Sequence, residues 1–73
     1  MRYLVVFERA GDNYSAYVPD LPGCIATGDT REEVERNIKE AIDFHLAGIL
    51  HDEGQLPPAQ AFAEYEEVAA GDA

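Results

Sequence analysis

The stretch from Thr30 to Gly54 constrains this chain most, because it reads as one long helix in a sequence of 73 residues. Thr30 followed three residues later by Glu33 is a capping box, in which hydroxyl and carboxylate satisfy backbone amides that a helix start leaves unpaired. Val34, Ile38, Ala41, Ile42, His45, Leu46 and Ile49 then recur at helical spacing and fall on one broad stripe. Glu32 with Arg36 and Glu35 with Lys39 form acid-before-base i,i+4 pairs suited to the wet face. Gly54, Pro57 and Pro58 stop the element, so the helix is expected over about residues 31–52.

What precedes the helix reads as a small sheet. Arg2 to Glu8 is rich in the β-branched and aromatic residues that favour a pleated strand. A loop with Gly11, Asp12 and Asn13 leads to a second strand over Tyr14 to Val18. In Leu-Pro-Gly-Cys, Pro22 and Gly23 occupy the positions where a type II turn wants a fixed negative and then a positive φ, which turns the chain into a short third strand, Cys24 to Thr27. The fold class is therefore α+β: a three-stranded antiparallel sheet packed on one long helix, in a single domain over residues 1–73. The last stretch has the Ala and Glu content of a helix, with Pro58 near a first-turn position, but Phe62, Tyr65 and Val68 make no helical stripe, so a fourth strand over about Phe62 to Val68 is expected to cap an exposed sheet edge.

The first strand raises a packing problem. Tyr3, Val5 and Phe7 point one way and Leu4 and Val6 the other, so both faces are apolar, while one amphipathic helix covers one face. A homodimer or higher oligomer is expected to bury the second face, with Leu4 and Val6 at the interface.

Charge narrows the partner. The formal net charge is -10, all five basic residues (Arg2, Arg9, Arg31, Arg36, Lys39) fall in the first 39 positions, and the remainder carries eight acids. Such a surface repels phosphate, which disfavours nucleic acid and anionic membranes, and its natural complement is a basic protein. The longest apolar run, Tyr3 to Phe7, is far short of the roughly 20 residues of a spanning helix. A single cysteine, Cys24, makes no internal disulfide and suits a reducing cytosol.

Residues able to carry chemistry are few. His45 lies inside the apolar stripe and reads as a packed residue, and His51, six positions later, lacks the i,i+4 spacing of a metal pair and suits the negative end of the helix. Asp20 and Asp29 sit in a turn and before a helix cap, places where short acids bond local backbone. Cys24 opens a strand without an adjacent base and reads as a small buried side chain. Neither a catalytic set, a metal site nor a cofactor is expected.

The order of motifs adds a resemblance. Ala-Tyr-Val-Pro-Asp-Leu-Pro-Gly-Cys from Ala16 to Cys24, Gly-Asp-Thr from Gly28 to Thr30 and the Glu-x-x-x-Asn-Ile-Lys-Glu-Ala-Ile run from Glu33 to Ile42 together closely resemble the HicB family, antitoxins of bacterial HicA/HicB pairs, over about residues 3–58. The resemblance implies a βββαβ domain of partial RNase H-like type that oligomerises and neutralises a HicA-like toxin, a small basic ribonuclease with a catalytic histidine. It implies binding rather than turnover. Many HicB proteins continue into a DNA-binding domain, which the residues here do not supply, so direct DNA binding is not expected. The remaining alternatives are a solitary structural or regulatory oligomer without a toxin, and a nuclease-like enzyme, which needs an acid/base set absent from these motifs. If the toxin is the partner, Glu64, Tyr65, Glu66 and Glu67 offer an aromatic anchor among carboxylates to a basic surface.

Overall fold

The computed structural model describes residues 1–70, so the last three positions of the expected 1–73 domain lie outside the described residues. The chain runs β1 (Val6–Ala10), β2 (Asn13–Tyr17), β3 (Ile25–Gly28) and α1 (Arg31–Glu53). The strands form one antiparallel sheet in the order β1-β2-β3, as the α+β reading requires.

The helix starts where the capping box places it. Thr30 is the N-cap, and its hydroxyl accepts from the Glu33 amide at 3.1 Å. The Glu33 carboxylate accepts from the Asp29 amide at 3.2 Å, so the box closes on the residue before the cap. At the far end Gly54 adopts φ 77, and its N–H donates to Leu50 O at 2.9 Å. All seven residues of the predicted stripe are buried or half-buried, with Val34 and Ile38 deepest. The expected pairs Glu32/Arg36 and Glu35/Lys39 do not close to within 4 Å; exposed long side chains gain little by fixing one geometry.

The Pro-Gly corner is more than a reversal. Leu21 O accepts from Cys24 N at 3.0 Å, closing a turn with Pro22 and Gly23 at its centre, and Gly23 has φ 84. Val18 O accepts from Leu21 N at 3.0 Å, and Val18 N donates to Cys24 O at 3.2 Å. Two linked turns thereby drive Leu21 into the core, where it is fully buried with Ala16, Val18, Cys24, Val34 and Ile38. Asn37 ties the helix to β3 by donating to Thr27 O at 2.8 Å. Gly28 lets the two approach: a Cβ there would stand 2.5 Å from the Val34 nitrogen.

Two expectations need correction. β1 begins at Val6 rather than Arg2, because Tyr17, opposite Val6, is the last residue of β2 and nothing in the sheet pairs with residues 2–5. Tyr3 and Val5 pack against the core instead, and the Tyr3 hydroxyl donates to Pro57 O. Residues 62–68 form no strand. Phe62, Tyr65 and Val68 are all largely exposed; the segment joins neither open edge of the sheet, and a strand outside a ladder with no buried face is not stable by itself.

Candidate functional site

Asp20 organises the C-terminal segment. Its Oδ2 accepts from the backbone N–H groups of Gln60 and Ala61, each at 2.9 Å. The turn over Val18–Leu21 aims the carboxylate, and the two prolines after the helix bring the chain back to meet it. Sequence reasoning assigned Asp20 to local turn bonding; its partners stand 40 and 41 residues away. No local spacing signals such a contact.

Beyond this clamp the chain leaves the body of the domain. Glu64, Tyr65, Glu66 and Glu67 are exposed, Tyr65 completely so. The four residues stand together as the sequence grouped them, as a run of carboxylates around one aromatic ring on a tethered segment. In water such a segment attracts a cationic surface over roughly 10 Å at 0.1 M salt and offers Tyr65 as an anchor at contact.

The sheet supplies a second surface. Val6, Tyr17 and Ile25 lie opposite one another across the three strands, and so form one row. It lies on the face away from Ala16 and the helix, with Ile25 68% exposed. Leu4 and Val6, expected at an oligomer interface, are half-buried. Leu4 borders the clamped segment, in a recess shared with Ala61 and Phe62. Sequence reasoning missed the contribution of Tyr17 and Ile25, which depends on cross-strand register.

Other singled-out residues fall to separate uses. Cys24 is buried, and burial pushes its thiol pKa up, which favours the neutral form over a nucleophilic thiolate. His45 is half-buried in the helix stripe, and His51 sits in the last turn with Nδ1 3.2 Å from the Asp52 carboxylate. The Asp29 amide joins the helix cap while Asp20 holds the tail. Among the described residues no group of three or more His, Cys, Asp and Glu side chains is placed to hold a metal ion, and no helix is long and apolar enough to cross a membrane.

Fold and surface together define a small α+β domain with a helix on one sheet face, an apolar row on the other and an acidic, aromatic segment held out in solvent. Comparison with known proteins gives this class a family. The profile of the HicB-like antitoxins of bacterial toxin–antitoxin systems matches residues 3–70, and the chain belongs to that family. An uncharacterized 14.9 kDa protein of the rep-hol intergenic region of Haemophilus phage HP1 is 43% identical over 65 residues, covering 89% of this chain and 49% of its own length. A UPF0150 protein of Helicobacter pylori is 46% identical over 48 residues, covering 66% of this chain and 67% of the relative. The chain thus spans about half the length of the phage relative and two thirds of the Helicobacter one. Among solved structures, a chain of a HicA3 and HicB3 toxin–antitoxin complex superposes with a TM-score of 0.65 at 25% identity, over 81% of this chain and 70% of that one.

Proposed function

We propose that this protein is an antitoxin that binds and neutralises a small basic HicA-type ribonuclease by direct contact. The observation that carries the proposal is the family match over residues 3–70, supported by the likeness to a chain of a toxin–antitoxin complex. The role is inhibition rather than turnover. Glu64, Tyr65, Glu66 and Glu67 meet the toxin surface that otherwise receives RNA phosphate, since carboxylates on a tethered segment imitate that charge. Leu4 and Val6, with Tyr17 and Ile25, form the face on which copies of the antitoxin associate. The chain and its toxin act in the cytoplasm, where the toxin meets RNA.

The test is co-expression of the chain with the small basic protein encoded beside it. Restored growth together with a complex that survives gel filtration is the expected outcome. Failure of the intact chain to bind that protein or to relieve its toxicity overturns the assignment.

A further inference from the structure

Two of the five basic residues share one cleft. Arg9 on β1 and Arg31 in the first turn of α1 line a depression of about 330 Å³ together with Phe7, Glu8 and Tyr14. Its floor follows from register: Arg9 lies opposite Tyr14 and Phe7 opposite Ala16, on the sheet face turned toward the helix. The helix crosses β2 and β3 and leaves β1 uncovered, so Phe7 stays 43% exposed on what is otherwise the core face. Among the described residues neither guanidinium has a carboxylate within 4 Å. Two aromatic rings and two unpaired cations, which outnumber the one carboxylate of Glu8, are complementary in a chain of net charge -10 to an acidic segment that carries an aromatic side chain.

The chain contains such a segment in Ala63 to Val68, Ala-Glu-Tyr-Glu-Glu-Val. We propose that residues 63–68 of one copy dock in the Arg9/Arg31 cleft of a second copy. Glu64, Glu66 and Glu67 meet the guanidinium groups, and Tyr65 packs on Phe7 and Tyr14. Within one copy the tail is tethered at Ala61, beside Leu4. In that copy Tyr65 is completely exposed and no residue of 63–68 lines the cleft, so the cleft stands open to a tail from a second copy. Each copy offers both tail and cleft, so a two-fold related pair satisfies both contacts at once. It does not rest on the toxin reading: the seated tail is the resting state of the free chain, which a toxin would have to displace, so the test uses this chain alone.

An Arg9→Lys/Arg31→Lys variant of the full chain places two amines in the cleft and keeps its charge. Equal amounts of unlabelled and heavy-nitrogen variant are mixed, treated with a water-soluble carbodiimide at low salt, and the linked peptides sorted by label. Mixed-label links from position 9 or 31 to Glu64, Glu66 or Glu67 are expected, with a yield that falls about tenfold as salt rises from about 0.05 to 0.5 M. Adding Tyr65→Ala is expected to lower the yield about threefold or more. Links confined to single-label chains mean that the tail folds onto its own cleft, and they overturn the proposal. Links only to Lys39 or the N-terminal amine, or none, overturn it as well.

Discussion

Asp20 Oδ2 lies 2.9 Å from the backbone nitrogen of Ala61, 41 residues further along the chain, and at the same distance from that of Gln60. One carboxylate therefore fixes where the structured part of the C-terminal segment ends and where its exposed, acidic part begins. Asp20→Ala is expected to lower the free energy of unfolding by about 1–2 kcal/mol, the worth of losing a charge-assisted acceptor at a partly exposed site. Asp20→Asn keeps a carbonyl oxygen and should cost about 1 kcal/mol or less. Amide hydrogen exchange separates this from general loosening: Gln60 and Ala61 should lose protection in Asp20→Ala while β2 and the buried turns of α1 keep theirs. Unchanged protection at Gln60 and Ala61 refutes the clamp.

The two structural glycines should respond differently to the same substitution. At Gly23 a Cβ meets no atom within 4 Å, so Gly23→Ala suffers only from φ 84 and should cost roughly 1 kcal/mol. At Gly28 the Cβ would press on the Val34 backbone, which the helix cannot move without leaving the sheet, and the expected cost is about 2–4 kcal/mol. Urea denaturation of both variants gives the ranking. A Gly28→Ala protein as stable as Gly23→Ala contradicts the close approach.

What the sequence disclosed and what it concealed divide along the range of the interactions. The cap at Thr30, the turn at Pro22 and Gly23 and the periodicity of Val34 through Ile49 involve neighbours in the chain, and each is in place. Leu21 lies in a turn that the sequence marks only through Pro22 and Gly23, yet two consecutive turns send its side chain into the core. The start of β1 depended on where β2 ended, and the row Val6, Tyr17, Ile25 on register across three strands. Composition grouped the carboxylates around Tyr65, but the turn that anchors their segment lies 40 residues earlier, and β propensity over 62–68 does not bring the segment to either open edge of the sheet.

The proposed association through the outer sheet face would bury that row. Val6→Glu places a charge at its β1 end, and is expected to raise the dissociation constant of the self-associated protein by about tenfold or more while circular dichroism stays unchanged. Leu4→Glu should act in the same direction. Sedimentation of the wild-type chain is the decisive control: a well-folded monomer at about 50 μM leaves the face with no role in assembly.

Burial of Cys24 couples stability to alkaline pH. The folded chain holds the thiol proton more tightly than the unfolded chain, because burial raises the pKa in the fold alone. The resulting stabilisation is fully present below the ordinary thiol value of about 8.5 and is lost as pH rises through the raised, folded value. Cys24→Ala should flatten this part of the stability profile. Iodoacetamide should modify native Cys24 about 100-fold more slowly than the denatured chain at the same pH. Equal rates contradict a thiol held in the core.

The acidic segment makes the last prediction. If Glu64, Glu66 and Glu67 steer the antitoxin to a basic toxin, Glu→Lys changes at all three should slow association by about tenfold or more at low salt and leave the folded body intact. The difference between wild type and variant should shrink as salt screens charges separated by more than about 10 Å at 0.1 M. Truncation after Gln60 removes Tyr65 together with the carboxylates, so dissociation should also become faster, since a buried aromatic anchor acts mainly on the off-rate. Stopped-flow association with the toxin, followed by a dilution chase, separates the two rates. Wild-type kinetics in the truncated chain moves the contact to the body of the domain, whereas slow association with an unchanged off-rate assigns the tail to steering and denies Tyr65 the part of an anchor.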